Sequence, residues 1–232
     1  MSEGADSGQP SPPDFRGRPH AERMRDHWWW RPGWRVGRRF YTWFLTFGGQ
    51  EDAHRLARVY QRRLDAPNLD LVPLEWLHLT MQGVGFTDEV SEEDAGRVAS
   101  AAAARCAGLQ PFTLALGPAR VASEGVVLDV TPAEPVHELR EALRAVIADA
   151  RSAGQADRVP EGGKEFVPHV SLAYCNAAGP AAPLVEVVEG VPAEPASATI
   201  SAARLVVLSR DERVYRWEVF ATVGLGVDAG GG

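Results

Sequence analysis

Cysteine is scarce in this 232-residue chain. Cys106 and Cys175 are its only two, and neither sits in a CxxC or Cys/His spacing of the kind zinc requires, so neither a disulfide framework nor a bound metal is expected. Lysine is scarcer still: Lys164 stands alone and arginine supplies the rest of the positive charge, a bias of genome composition rather than of function. No apolar run approaches the roughly 18 residues that a membrane-spanning helix needs. The opening stretch MSEGADSGQPSPPDFRGRP lacks the basic start and apolar stretch of a secretory signal. These absences exclude a membrane partner and lead to the expectation of a cytoplasmic chain with a disordered N-terminal tail. A formal net charge of -7 further excludes a protein that coats nucleic acid nonspecifically, since such binding needs many cations against phosphates.

What is present is an ordinary globular composition, 45% hydrophobic and 24% charged, in a length that suits one large domain or two small lobes sharing a core. The charge is unevenly placed. Residues 16–39 hold eight arginines against Glu22 and Asp26, together with Trp28, Trp29, Trp30 and Trp34. Two readings stand side by side. Arginine mixed with tryptophan can stack on and hold a nucleotide or a single strand; alternatively, the tryptophans fold back to cap an exposed edge of the domain.

Periodicity predicts the elements. Arg39 to Phe47, rich in aromatic and β-branched residues, reads as a strand ended by Gly48 and Gly49. Ala53, Leu56, Ala57, Tyr60 and Leu64 recur at helical spacing, giving a helix from Glu51 to Leu64. From Glu75 to Gly85, Leu77, Leu79 and Met81 alternate with His78, Thr80 and Gln82, the period of a strand with one apolar and one polar face. Ser91 and Asp94 form a capping signature before an alanine-rich helix ending at Ala107. Strands are predicted over Pro111 to Leu116 and Gly125 to Val130, then a helix carrying Val136, Leu139, Leu143, Ile147 and Ala150, and a loop over Ser152 to Glu165. A strand follows from Phe166 to Tyr174, a short helix from Pro183 to Glu189, and two closing strands over Ala198 to Leu208 and Val214 to Val223. Strand, helix, loop and histidine strand occur over Arg39 to Gly85 and again over Gly125 to Tyr174. That order predicts a two-lobed α+β protein with pseudo-two-fold symmetry.

Two of the six histidines share one pattern: Leu77-His78-Leu79-Thr80-Met81 and Pro168-His169-Val170-Ser171-Leu172. On a strand the imidazole and the hydroxyl two residues on point to the same side, while the apolar neighbours anchor the strand in the core. Phosphodiester chemistry needs such a set twice. In-line displacement takes a base for the attacking water or hydroxyl and an acid for the leaving oxygen, and two imidazoles with unperturbed pKa near ~6.5 serve both roles. The Thr80 and Ser171 hydroxyls can donate to the non-bridging oxygens as charge builds, with no metal or other cofactor required. The sequence does not divide acid from base between His78 and His169. Gln82 shares the predicted polar face and is a candidate substrate contact. Lys164 and Arg158, before the second motif, are candidate phosphate contacts that more commonly only solvate a loop. His54 and His137 fall on polar helix faces, and His20 and His27 lie in or beside the N-terminal segment, so none of the four is a candidate. Two histidines acting as metal ligands are disfavoured, since no carboxylate or third histidine shares the motif faces.

The stretches WLHLTMQGVGF and FVPHVSLAY resemble the paired signature of the 2H phosphoesterases, the superfamily that includes bacterial 2'-5' RNA ligases and RNA 2',3'-cyclic phosphodiesterases. RRFYTWFLTF and ARLVVLSRDERVYRWEVFATVGL resemble its opening strand and closing strand pair. The resemblance implies a bilobal α+β fold with antiparallel sheets facing a central cleft over residues 38–225, one motif in each lobe. It leaves residues 1–37 as a disordered or loosely packed Trp/Arg-rich segment and 226–232 as a flexible tail. It also implies roles for His78, Thr80, His169 and Ser171 as argued above, and an enzyme that opens 2',3'-cyclic phosphates at RNA termini or, in reverse, ligates 2'-5'. The expected partners are RNA termini or small cyclic-phosphate nucleotides, met by a monomer. The alternatives are a phosphodiesterase of small cyclic nucleotides or 2'-5' oligonucleotides, and a non-catalytic RNA-end or nucleotide-binding module of the same fold. Ser171 stands where many members carry threonine, which preserves the hydroxyl.

Overall fold

Alternating apolar residues build two antiparallel sheets, and amphipathic helices close over their outer faces. The computed structural model describes residues 18–150 and 166–226. In chain order the elements are β1 (Arg23–Met24), β2 (Phe40–Thr46), α1 (Glu51–Gln61), β3 (Leu69–Leu71), a 3-10 turn (Leu74–Trp76), β4 (His78–Phe86), α2 (Glu92–Cys106), β5 (Phe112–Ala122), β6 (Gly125–Thr131), α3 (Glu134–Ala150), β7 (His169–Cys175), β8 (Gly179–Pro180), α4 (Ala182–Glu189), β9 (Ala196–Ile200), β10 (Ala202–Ser209), a 3-10 turn (Asp211–Arg213) and β11 (Arg216–Gly224). One sheet runs β11-β10-β2-β4 and the other β3-β7-β6-β5-β9. No described helix is long and apolar enough to cross a membrane.

The expected repeat is visible in the topology. β2 leads through α1 to its antiparallel neighbour β4, and β6 leads through α3 to its antiparallel neighbour β7. The helices are exchanged, however. α1 packs on β7 and β9 of the five-stranded sheet, whereas α3 packs on α2 and on β4 of the four-stranded sheet. A single apolar cluster therefore runs through both lobes, with Trp43 and Leu45 of β2 and Leu128 and Val170 of the other sheet all fully or nearly fully buried. On the inner side of β2 a smaller cluster of Phe44, Val206 and Leu208 packs with Trp34, Tyr215 and Trp217. Burying one such side chain contributes roughly 1.5–3 kcal/mol, so the outer core carries the fold and the inner cluster shapes the cleft.

Three sequence expectations need correction. The strand expected over Ala198 to Leu208 is two strands in different sheets, β9 beside β5 and β10 between β2 and β11. Buried positions fall on Ala196, Ala198 and Ile200, then on Ala203 and Leu205, and this change of parity across Ser201 marks the crossing from lobe to lobe. The strand expected to stop at Leu116 continues to Ala122, because a register shift between Leu116 and Ala119 accommodates Gly117 and Pro118 as a bulge. Residues 18–37, expected as disordered or loosely packed, lie as a strap across both lobes. Ala21, Arg25 and His27 donate backbone bonds to Val121, Ser123 and Cys175 of one lobe. From the other lobe Arg210 donates to the His27 carbonyl, and the Asp211 carboxylate accepts from the Gly37 amide. Trp28 donates to Asp70, and Met24 and His27 are buried. The tail before residue 18, the Ser152 to Glu165 loop with Arg158 and Lys164, and residues 227–232 lie outside the described residues.

Candidate active site

The two motifs occupy neighbouring strands where the sheets meet, β4 and β7. Their local geometries match atom for atom in three respects. In each, the residue between imidazole and hydroxyl, Leu79 or Val170, is buried in the common core and fixes the strand. In each, Nδ1 lies 2.8 Å from a backbone carbonyl two residues back, Trp76 for His78 and Val167 for His169. A carbonyl can only accept, so Nδ1 carries hydrogen in both rings and Nε2 is the atom that gains and loses the working proton. In each, the strand bulges one residue past the hydroxyl. The register passes from Phe44↔Thr80 to Trp43↔Gln82 at Met81, and from Val127↔Ser171 to Val126↔Ala173 at Leu172.

That bulge corrects the expectation for Gln82. Simple alternation puts it beside His78 and Thr80, but the extra residue reverses parity and turns Gln82 onto the core side, opposite Trp43. It is fully buried, accepts from Arg144 at 3.0 Å and does not line the cleft, while Gly83 takes the cleft position. The same bulge on β7 brings Tyr174 to the cleft face, beneath His27. Gly125 opposite it has no room for a side chain, since a Cβ would sit 2.2 Å from the Ala173 carbonyl oxygen.

His78, Thr80, His169 and Ser171 all line one cleft of about 600 Å³. The imidazoles differ in setting. His78 is buried, stacked on Phe44 at 4.1 Å and met edge-on by Trp217 at 5.1 Å. Burial pushes its pKa down to about 4, and the neighbouring charges of His169 and His27 act in the same direction against the Trp76 carbonyl. His169 is exposed to the cleft. Among the described residues no three His, Cys, Asp or Glu side chains group as a metal site would require.

Sequence reasoning missed a third cluster. His27 lines the same cleft, stacked on Tyr174 at 4.1 Å, with Nδ1 3.1 Å from Glu124 and Nε2 2.9 Å from the Tyr215 hydroxyl. Burial lowers the His27 pKa, with Arg31 and Arg210 adding to the effect and Glu124 opposing it. In the neutral ring Nδ1 donates to the carboxylate and Nε2 accepts from Tyr215. Burial alone would raise Glu124, but hydrogen bonding from His27 and the charges of Arg31 and Arg25 bring it down to about 2. Arg210 is buried against Trp28, Trp34 and Tyr215. The available signal was composition: a histidine and four tryptophans among arginines. Of the remaining histidines, His137 is exposed as expected, His54 is half-buried, and His20 accepts from the Val121 amide.

Two sheets with paired His-x-hydroxyl strands across a shared cleft define a bilobal phosphoesterase architecture. The family model of the 2'-5' RNA ligase superfamily matches residues 49–212, and the chain belongs to that family, the 2H phosphoesterases. Among solved structures, TT0787 of Thermus thermophilus is 24% identical with a TM-score of 0.61, covering 82% of this chain and 99% of its own. E. coli LigT complexed with 3'-AMP is 19% identical with a TM-score of 0.61, covering 81% and 98%. LigT has also been solved with NADP+ and with ATP. These likenesses establish the α+β fold. No curated protein matches the sequence significantly.

Proposed function

We propose that this 2H phosphoesterase opens 2',3'-cyclic phosphates at RNA ends, leaving a 2'-phosphate, with 2'-5' ligation as the reverse reaction. The observation that carries this reading is the pair of imidazoles on adjoining strands, each locked with Nδ1 on a carbonyl and each followed by a hydroxyl on the same face. His78, held neutral by burial, is the base: its Nε2 takes a proton from water as the water oxygen attacks phosphorus. The bond from phosphorus to the 3' oxygen breaks, and His169 Nε2 gives that oxygen a proton. Thr80 and Ser171 donate to the non-bridging oxygens. The cleft volume suits a nucleotide-sized ligand, and the nucleotides bound by LigT support the same class.

The test is hydrolysis of an oligonucleotide ending in a 2',3'-cyclic phosphate, in EDTA, with the remaining phosphate identified. Turnover to a 2'-phosphate that His78→Ala and His169→Ala each abolish supports the reading. Turnover of cyclic mononucleotides or 2'-5' oligonucleotides alone would move the substrate class. Tight binding without turnover of any of them would leave a nucleotide-binding module.

A further inference from the structure

The four strap tryptophans divide sharply. Trp28 is packed against His27, Tyr174 and Tyr215, and Trp34 against Phe40 and Phe86. Between them Trp29 and Trp30 are 47% and 56% exposed. Packing of the domain does not account for two adjacent indoles held in water, since tryptophan is highly buried on average. Their position does point to a use. Arg25, His27, Arg31 and Pro32, on either side of them in sequence, all line the cleft, so the exposed pair stands at its rim. Arg31 joins the two regions: it lines the cleft, bonds Glu124 at 2.6 Å and lies over the Trp29 ring at 5.6 Å. The Arg25 and Arg35 side chains, each 67% exposed, lie along the same strap, paired with Glu124 at 3.0 Å and Asp88 at 3.2 Å, and keep their outer guanidinium edges in water. Exposed aromatic faces interleaved with arginine are what a single strand requires, stacking for its bases and cations for its phosphates.

We infer that the strap is a landing platform for the single-stranded RNA that trails from the reacting end, with bases stacked on Trp29 and Trp30 and phosphates drawn to Arg25, Arg31 and Arg35. This rests on the RNA-end reading above and deepens it, because it makes an RNA chain, and not a cyclic mononucleotide, the preferred substrate. The platform lies outside residues 49–212, which match the family model. Tryptophan and arginine also suit an anionic lipid surface, but continuity with the cleft through Arg31 favours RNA.

The experiment compares kcat/KM for a 2',3'-cyclic mononucleotide, dinucleotide and hexanucleotide in the full chain and in Trp29→Ala/Trp30→Ala. The expected result is a preference for the hexanucleotide of roughly 10- to 100-fold in the wild type, carried mainly by KM and weakened by salt. The double variant should lose that preference while turning over the mononucleotide as before. Equal kcat/KM across lengths in the wild type, or a preference that survives in the variant, overturns the inference while leaving the proposed activity standing. If no substrate turns over, the proposed activity fails, and anisotropy of a labelled 3'-hydroxyl hexanucleotide decides the platform alone: binding by the wild type that the variant loses upholds it, and equal binding overturns it. Loss by the variant of binding to phosphatidylserine-containing vesicles, with no change in RNA binding, would overturn it in favour of a membrane-facing patch.

Discussion

His78 and His169 carry the same motif, the same Nδ1 acceptor and the same following bulge, yet one is buried under Phe44 and the other faces open water. Duplicated strands thus deliver two equivalent imidazoles, and the surroundings make them different. Phe44, paired with Thr80 on β2, has Val127, paired with Ser171 on β6, as its counterpart, and Trp217 closes over the His78 side alone among the ring contacts of the described residues. An asymmetric reaction, with one proton taken and another given, is served by a symmetric scaffold whose two halves differ in desolvation.

The largest expected effect breaks both halves at once: His78→Ala and His169→Ala should each reduce kcat by on the order of 10²–10⁴ in single-turnover assays. The two should part in stability, because only His78→Ala opens a hole in packed aromatic surroundings; its Tm should fall while that of His169→Ala stays close to wild type in calorimetry. Removing a phosphate donor, Thr80→Val or Ser171→Ala, is expected to cost roughly 10²–10³ in kcat with the fold unchanged.

The pH dependence sharpens the comparison further. With His78 near 4 in the folded protein and about 6.5 unfolded, the unfolded chain binds the extra proton between those values. Its contribution therefore makes stability rise with pH from about 4 to 6.5, amounting to roughly 3 kcal/mol across the window, and His27 acts in the same direction. Glu124 is the opposite kind of group but has the same sign, its stabilisation present above about 4.5 and lost as pH falls toward 2. Calorimetry from pH 4 to 7 should show a flatter Tm curve for His78→Asn. Likewise the acidic limb of kcat/KM should lie well below 6.5, and Phe44→Leu, which loosens the stack, should move it upward. A limb unchanged in Phe44→Leu would remove burial as the cause.

How much of this was legible in the sequence depended on whether one strand's own periodicity held the information. His78, Thr80, His169 and Ser171 were readable because each pair lies within three consecutive residues, where alternation is dependable. Gln82 was misread two residues later, because the bulge at Met81 is set by pairing with β2 and leaves no trace in local hydropathy. Ser201 was passed over for the related reason that two strands joined without a turn residue read as one strand, although the parity of buried residues did record the change. His27 escaped because its partners, Glu124 and Tyr215, are distant in sequence and belong to different lobes, so nothing near it marked it as buried. The Trp/Arg stretch turned out to satisfy the edge-capping reading at Trp28 and Trp34, leaving the other pair in water.

The family-matching residues begin at 49, after β2, and end at 212, before β11. Yet β2 is an interior strand, hydrogen-bonded to β10 on one side and β4 on the other, and it supplies Phe44 beneath His78 and the fully buried Trp43 and Leu45. A gene fragment cut to the recognisable stretch would leave β4 and its histidine on a sheet without a centre. Any minimal version of this protein therefore has to be drawn from the hydrogen bonds of the sheet and not from the bounds of residues 49–212.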